Sequence, residues 1–432
     1  MLARYFKLAE HGTDVRTELL AGLTTFLTMA YIIFVNPSIL AEAGMDRGAV
    51  FVATCLAAAL GTAIMGLYAN YPIALAPGMG LNAYFTYGVV LGLGYTWQVA
   101  LGAVFISGVL FLVLSVLPVR EAVVNAIPAS LKLAISAGIG LFLGIIALNN
   151  AGIIAAHPAT LVTLGDVTSV EAVLAALGFF VMVALTALGV PGAVIIAILG
   201  VAATGMLLGA SEFAGVFSAP PSLAPTFLQM DLAGAFTIGL LAIVFAFLFV
   251  DLFDTAGTLV GVSSRAGLLD ERGRLPRLRQ ALVADSTATA AGAALGTSTV
   301  TSYIESAAGT NAGGRTGLTA VTVALLFVLA IFFAPLAGSI PPYATAPALL
   351  FVACLMTRAL TQVDWDDITE YAPAVITAIA MPLTFSIATG IGFGFITFTA
   401  VKLLTGRVRE LGIAVPILAA LFAVRFAYLA IG

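Results

Sequence analysis

Long apolar runs, separated by short stretches that contain polar residues, glycine or proline, dominate the sequence. Two examples are VFVATCLAAALGTAIMGLYA (50–69) and LTAVTVALLFVLAIFFAPLA (318–337). A run of about 20 apolar residues is long enough to cross a bilayer as a helix. The pattern does not show the two-residue alternation of a membrane β-barrel. It therefore predicts an all-α polytopic membrane protein.

Fourteen of these runs are counted as membrane spans. A fifteenth apolar segment, 413–431, contains Arg425 and could either span the membrane or lie along its surface. The fourteen predicted spans are 17–38, 48–69, 73–92, 97–118, 128–148, 171–189, 192–209, 234–262, 281–297, 300–317, 318–337, 343–361, 371–388 and 390–405.

A connection rich in Pro, Ala and Ser, residues 211–233, separates seven predicted spans from seven. Because seven is odd, the second half enters the membrane in the opposite orientation, and inverted repeats are typical of secondary transporters. We predict a first inverted repeat at 1–210, a second at 234–410 and a C-terminal apolar segment at 411–432.

Positively charged residues test this topology, because Lys and Arg collect on the cytoplasmic side of membrane proteins. The predicted exterior connections 149–170 and 210–233 contain neither residue. The pattern predicts a multi-pass inner-membrane protein with a cytoplasmic N-terminus. The acidic stretch 364–370 is predicted to be an interfacial linker in which a helix starts at Asp366 or Asp367. The cations predicted inside are Arg4, Lys7, Arg16, Arg120, Lys132, Arg265, Arg272, Arg274, Arg277, Arg279, Arg358, Lys402, Arg407 and Arg409.

Composition excludes a soluble domain and gives no indication of an enzyme. The chain is 61% hydrophobic and 9% charged, whereas soluble domains are nearer half apolar and a quarter charged. Cys55 and Cys354 lie in apolar runs and are predicted to be small core residues. His11 and His157 are too far apart to form a metal motif. No phosphate-binding loop, dinucleotide fingerprint or catalytic triad spacing is found, so we expect no cofactor, no metal and no nucleic-acid partner.

The third and tenth spans carry matching interruptions. The third begins YPIALAPGMGLNAYFTYG (71–88), where Pro77 and Gly78 oppose a straight helix. The tenth begins TSTVTSYIESAAGTNAGGRTG (297–317), where residues 299–301 favour extended backbone. Asn82 and Glu305 occupy corresponding places in the two halves. Glycines can also serve only close helix packing, but two matched interruptions with polar side chains favour a binding site near the middle of the membrane.

The eighth span, IVFAFLFVDLFDTAGTLVGV (243–262), contains two carboxylates, Asp251 and Asp254, on neighbouring positions of one helical face. A charged carboxylate in the membrane costs roughly 2.5–3.5 kcal/mol, so such groups usually line a polar cavity or a proton path. The alternative to a functional role is that these aspartates form a structural ion pair with Arg265 or Arg315. Asp285 is a weaker candidate that could be a helix-end residue.

Four segments together resemble a known family. They are AGLTTFLTMAYIIFVNPSIL in the first span, APGMGLNAYF in the third, FVDLFDTAGTLVG in the eighth and TSYIESAAGTNAGGRTGLTA in the tenth. The sequence is similar to the AzgA-like purine permeases, a branch of the nucleobase–ascorbate transporter family. The resemblance implies a core domain of 17–118 plus 234–337 and a gate domain of 128–209 plus 343–405. It also implies proton-coupled uptake of hypoxanthine, guanine or adenine, and a homodimer.

The chemistry of the residues agrees with a purine ligand. A carboxylate accepts two N–H bonds at once, which suits Glu305. The ring of Tyr303, Tyr84 or Phe85 could pack against the base. We expect Asp251 to take the coupled proton, with Asp254 as its relay. The predicted substrate-binding residues are Glu305, Asp251, Asn82, Ser302, Tyr303, Ile304, Gly80, Leu81 and Phe85, and the predicted proton-coupling residues are Asp251, Asp254 and Glu305.

Three other classes of protein were weighed. An anion exchanger or sulfate permease could share the fold, but acidic residues in the site oppose an anionic substrate. A channel requires a continuous polar pore, and an intramembrane enzyme requires a nucleophile–base pair or a metal site. The sequence leaves open which purine is preferred and whether protons or sodium ions are coupled.

Overall fold

The computed structural model describes residues 2–117, 128–236, 238–270, 275–412 and 414–431. Most of the described chain is helical, which confirms the predicted class, and two pairs of short strands are present. The first half contains α1 (Leu2–Tyr5), α2 (Val15–Met29), α3 (Ile32–Glu42), α4 (Arg47–Ile64), β1 (Leu75–Pro77), α5 (Met79–Ala83), α6 (Trp97–Val116), α7 (Ala129–Asn150), β2 (Ile154–His157), β3 (Leu161–Leu164), α8 (Val170–Ala187) and α9 (Ala193–Leu207).

The second half contains long helices and one short strand. Two π-helical segments, Met65–Ala69 and Tyr84–Gly92, extend α4 and α5, and 3-10 turns occur at Ile331–Phe333, Arg358–Gln362 and Val408–Glu410. The elements are α10 (Leu232–Ala235), α11 (Ile238–Arg265), α12 (Leu278–Leu295), β4 (Val300–Ser302), α13 (Ser306–Asn311), α14 (Gly317–Ala330), α15 (Ala334–Gly338), α16 (Pro342–Thr357), α17 (Ile368–Leu383), α18 (Ile387–Leu404) and α19 (Ala414–Ile431).

Within the described residues, nine helices are long and apolar enough to cross a membrane. The five other predicted spans have identifiable reasons for missing that threshold. Helices Ala193–Leu207 and Ile368–Leu383 are shorter, and Leu278–Leu295 carries Arg279 and Asp285. The third and tenth spans are interrupted by strands. The count of fourteen spans stays a prediction.

The two interrupted spans pair with each other. Strand β1 runs antiparallel to β4, with Leu75 opposite Ser302 and Pro77 opposite Val300. The amide of Gly78 adds a hydrogen bond of 2.9 Å to the carbonyl of Thr299. Extended backbone inside a membrane protein must satisfy its N–H and C=O groups within the protein. Each half supplies the partner strand for the other, so the predicted interruptions and their extended segments are confirmed.

Helix contacts fall into two groups. In one group α2 packs on α14, and both α4 and α6 pack on α12. In the other α7 packs on α16 and α17, and α17 packs on α18. The segment Met65–Ala69 approaches the start of α14 so closely that glycine is required there. A Cβ at Gly66 would lie 2.6 Å from the carbonyl oxygen of Gly317. The exact core and gate boundaries stay a prediction.

Several expectations need correction. Cys354 is exposed rather than a core residue, because a membrane-type helix is apolar on its outer face as well. Asp285 lies inside α12, well away from either end.

Asp367, as predicted, accepts the capping hydrogen bond at the start of α17. The exposed β2–β3 hairpin within the predicted exterior connection was not anticipated. The predicted cytoplasmic Arg120, Arg272 and Arg274, and the side chains of Arg265 and Arg425, lie outside the described residues.

The C-terminal apolar segment forms a helix, α19, that packs along α18. The ring of Phe422 stacks on that of Phe395 with centroids 6.3 Å apart. A Cβ at Gly392 would lie 2.8 Å from Phe422, so glycine permits the close contact. The segment is therefore joined to the second helix group.

Candidate functional site

Glu305 immediately precedes α13, at the point where the chain leaves strand β4 and becomes helical again. Its carboxylate Oε1 accepts a hydrogen bond of 2.5 Å from the hydroxyl of Tyr31. Tyr31 lies between the end of α2 and the start of α3, so the first span is also interrupted at this level. Sequence reasoning missed Tyr31, since TMAYII shows no glycine or polar pattern there.

Asp251 lies on α11 and is fully buried against α12 and the strand pair. Its Oδ2 lies 3.1 Å from the hydroxyl of Thr289. The same hydroxyl lies 2.8 Å from the carbonyl oxygen of Val300 in β4. Oδ1 of Asp251 has no hydrogen-bond partner among the described residues. The carboxyl is thus held close to the strand pair with one oxygen unpaired.

Asp254, one helical turn further along α11, has a different environment. It is exposed, on a helix that packs against α13, which Glu305 immediately precedes. One and two turns further along α11, no described atom lies within 4 Å of a Cβ placed at Gly257 or Gly261, so this stripe of the helix borders open space. The predicted sharing of one face by the two aspartates therefore holds only loosely, because Asp251 points into the protein and Asp254 faces open space.

The alternative of an ion pair with Arg315 is wrong for the described structure. The Arg315 guanidinium donates instead to the carbonyl oxygens of Thr310, at 2.5 Å, and Gly314, at 2.8 Å. These carbonyls lie at the end of α13, and a cation stabilises a helix C-terminus. The other alternative, an ion pair with Arg265, concerns a side chain outside the described residues.

A second buried carboxylate supports strand β4. Oδ1 of Asp285 accepts a hydrogen bond of 2.9 Å from the hydroxyl of Ser302. Next to it, the hydroxyls of Thr255 and Thr301 lie 2.8 Å apart. Oδ2 of Asp285 has no hydrogen-bond partner among the described residues, but buried polar groups that are paired, as the others here are, fix one geometry. The network locates β4 relative to α11 and α12.

Asn82 is the polar side chain of the third span. It is fully buried, and its Oδ1 accepts a hydrogen bond from the hydroxyl of Ser298. Its Nδ2 has no hydrogen-bond partner among the described residues. A Cβ at the nearby Gly80 would lie 2.5 Å from Ile139 of α7, so α5 and the opposing helix group are in close contact.

The other predicted ligands differ in accessibility. Leu81 and Phe85 are buried, whereas Ile304 is 53% exposed beside Glu305. The hydroxyl of Tyr303 donates across the strand pair to the carbonyl of Pro77 at 2.5 Å. The ring of Tyr84 packs on Phe247, with centroids 4.8 Å apart. Of the three rings expected to cover a base, that of Tyr303 is nearest to Glu305 in sequence, two residues before it.

Three aromatic rings meet where α5 approaches the other helix group. Tyr87, Phe142 and Phe385 form a cluster of edge-to-face rings, with centroid separations of 6.5, 6.1 and 5.1 Å. Tyr87 follows α5, whereas Phe142 and Phe385 belong to the other helix group. The cluster therefore joins the segment after α5 to the other helix group.

Comparison with known proteins identifies the family. The model described as the permease family matches residues 16–393. The adenine permease AdeP of Escherichia coli strain K12 is 51% identical over 429 residues, covering 99% of this chain and 96% of that protein. The guanine/hypoxanthine permease PbuG of Bacillus subtilis strain 168 is 48% identical over 436 residues, covering 98% of each. The chain belongs to the nucleobase–ascorbate transporter family. It is a membrane transporter and not an enzyme.

Solved structures show the fold of this permease. The transmembrane domain of the cyanobacterial bicarbonate transporter BicA matches with a TM-score of 0.65 and 16% identity, covering 88% of this chain and 97% of that one. The structure of SLC26A9 matches with a TM-score of 0.65 and 11% identity, covering 91% and 66%. At such low identity the likeness concerns architecture alone.

The permease therefore carries acidic side chains at the junction of its two strands. Asp254 is exposed and Glu305 is half-buried, whereas Asp251 and Asp285 are fully buried. In the described part of the permease, no group of three or more His, Cys, Asp or Glu side chains is arranged to hold a metal ion. Such a set of carboxylates can accept N–H hydrogen bonds or protons.

Proposed function

We propose that this permease imports purine nucleobases by proton symport, with the core domain moving against the gate domain. The observation that carries the proposal is the position of Glu305. Its half-buried carboxylate lies at the junction of two broken spans, and the exposed Asp254 lies on α11, which packs against α13. Broken spans that meet near the membrane centre are the usual substrate sites of secondary transporters.

The substrate class follows from hydrogen-bond chemistry and from the relatives. Purine bases present N–H donors on a flat edge, and a carboxylate accepts such donors in pairs. The relatives of about half identity are adenine and guanine/hypoxanthine permeases by name. We assign Glu305 to the N–H edge, with Ser302, Tyr303, Gly80 and Asn82 as its neighbours in the binding site.

The contact of Thr289 supports Asp251 as the proton carrier. A threonine hydroxyl has one hydrogen to donate, yet that of Thr289 lies within reach of two oxygens, Asp251 Oδ2 and Val300 O. If Asp251 is protonated, its O–H donates to the Thr289 hydroxyl, and that hydroxyl donates its own hydrogen to the carbonyl of Val300. Only then are both contacts hydrogen bonds at the same time. Asp254, at the open side, is the proposed relay between Asp251 and water.

The asymmetry of the site supports alternating access. The ring cluster of Tyr87, Phe142 and Phe385 closes one side, and the stripe from Asp254 to Gly261 is open on the other. With the N-terminus in the cytoplasm, the open side is the cytoplasmic one. We propose that the structure represents the inward-facing state, and that the two helix groups separate at the ring cluster when the site faces outward.

An anion exchanger is the second candidate, because the structural neighbours include a bicarbonate transporter. Anion sites usually present cations or helix N-termini. Here the groups that face the open space are the carboxylates of Asp254 and Glu305, and Arg315 is held by carbonyl oxygens. The charge of the site thus favours a neutral base over an anion.

The test is uptake of radiolabelled hypoxanthine, guanine, adenine, uracil and xanthine by cells that lack their own nucleobase permeases, at an acidic and a neutral pH. We expect saturable purine uptake that is faster at the acidic pH and collapses with a protonophore. Glu305→Ala should abolish uptake while the protein still inserts. Uptake of bicarbonate or sulfate in place of bases would support the exchanger instead.

A further inference from the structure

We propose that Tyr31 is a positioning residue that sets the plane of the Glu305 carboxylate and so determines which purines bind well. The inference deepens the proposed function and rests on it. It concerns a residue of the first span that neither the sequence motifs nor the resemblance singled out. The short hydrogen bond between the Tyr31 hydroxyl and Glu305 Oε1, 2.5 Å long, is its basis.

Tyr31 is well suited to hold another group in place. Its side chain is 1% exposed, and it belongs to the main buried cluster. It lies in the two-residue gap between α2 and α3, so helical backbone fixes it on both sides. The hydroxyl of Thr28, one turn earlier, lies 3.5 Å from the backbone carbonyl oxygen of Glu305. The first span thus contacts both the side chain and the main chain of Glu305.

The Glu305 carboxylate needs such a partner because little energy is required to rotate it about the last side-chain torsion. The last side-chain torsion of glutamate is broad and has no sharp staggered minima. Glu305 is only partly buried, so packing alone does not set its plane. A donor fixed at Oε1 sets that plane and directs the remaining lone pairs of the carboxylate toward a ligand.

The orientation matters most for a ligand that uses both carboxylate oxygens. Guanine presents N1–H and its 2-amino group side by side, and two parallel N–H···O bonds require the base and the carboxylate to be coplanar. Hypoxanthine presents a single N–H on that edge, which tolerates rotation of the carboxylate. Loss of the Tyr31 hydroxyl should therefore weaken guanine more than hypoxanthine.

The experiment compares wild type, Tyr31→Phe and Tyr343→Phe in the full chain. Tyr343 is a matched control: it is also buried, but its hydroxyl contacts Ser211 at 3.3 Å, away from the site. For Tyr31→Phe we expect the KM for guanine to rise about tenfold and that for hypoxanthine by about threefold or less, with Vmax at saturation nearly unchanged. Tyr343→Phe should leave both KM values unchanged.

The ratio of the two KM values does not depend on how much protein reaches the membrane. A ratio equal to that of wild type, or an equal loss for both bases, overturns the inference. If Tyr31→Phe does not accumulate, 3-fluorotyrosine at position 31 keeps the ring and hydroxyl but strengthens the donor. An unchanged ratio in that variant also overturns the inference. If wild type transports no purine at all, the proposed function fails instead, and the two failures are thereby distinguished.

Discussion

The hydroxyl of Thr289 lies 3.1 Å from Oδ2 of Asp251, and this contact links the eighth predicted span to the ninth. The hydroxyl of Thr289 also contacts the carbonyl oxygen of Val300 at 2.8 Å, so the protonation of Asp251 proposed above would act on strand β4 through one side chain. Val300 is five residues before Glu305. In the proposed mechanism, proton binding at Asp251 and base binding at Glu305 are therefore connected through one short piece of extended backbone.

Asp251→Asn should uncouple transport from the proton gradient. Asparagine offers N–H donors and has the shape of a protonated aspartate, so Thr289 keeps its partner but no proton is exchanged. We expect base exchange to persist in proteoliposomes, while accumulation driven by a pH gradient is lost. Ser286→Ala is the control, because Ser286 lies on α12 like Thr289 but donates its hydroxyl hydrogen to the carbonyl oxygen of Leu282. Gradient-driven accumulation by Asp251→Asn at the wild-type level would contradict the proposed role.

Gly317→Ala should destabilise the core. A Cβ at Gly317 would overlap the backbone of Gly66, and backbone cannot move aside as a side chain can. We expect a cost of about 1–3 kcal/mol, seen as a lower melting temperature in detergent and less protein in the membrane. Gly200→Ala is the matched control, because no described atom lies within 4 Å of that Cβ. Equal melting temperatures for the two variants would show that the packing is looser than described.

Glu18→Gln should also destabilise the protein. Glu18 is fully buried, and its Oε2 accepts hydrogen bonds from the hydroxyl of Thr319, at 2.6 Å, and its amide, at 3.1 Å. Its Oε1 accepts from the amide of Arg315 at 2.9 Å. Glutamine would place an NH2 group against these donors, at a cost of about 1–3 kcal/mol. The loss of stability is measured as a lower melting temperature of the purified protein. Glu10→Gln, at an exposed position, is the control and should melt like wild type.

Asp367 should contribute a pH-dependent part of the stability. The hydroxyl and amide of Thr369 and the guanidinium of Arg407 lower its pKa to about 2, whereas an unfolded Asp has a pKa of about 3.9. A lowered native pKa stabilises the fold above the unfolded value, so this contribution is lost as pH falls from about 4 to about 2. The difference in melting temperature between wild type and Asp367→Asn should be present at neutral pH and vanish in acid. A difference that persists below a pH of about 2 would contradict this assignment.

Local backbone chemistry made parts of the fold predictable. Pro77, Gly78 and the β-branched run 299–301 indicated breaks, and the structure places strands there. Asp367 was recognised as a helix start because its side chain can cap one. Span boundaries agreed to within a few residues where apolar runs end in polar ones, as at Leu404.

The rest depended on long-range contacts that spacing along the chain does not contain. Tyr31 approaches Glu305 from 274 positions away, and Glu18 reaches the start of α14 from nearly 300. Asp285 resembled a helix-end residue because alanine and threonine around it give no sign of the strand it supports. Cys354 resembled a core residue because hydropathy does not distinguish lipid-facing from protein-facing positions.

The pairing of β1 with β4 also constrains the order of biogenesis. Residues 75–77 leave the ribosome more than two hundred positions before their partners at 300–302. Until then the N–H and C=O groups of the first strand must find other hydrogen-bond partners, in the translocation machinery or in retained water. Truncations that end before residue 300 should thus remain susceptible to quality-control proteases, whatever the hydropathy of their helices.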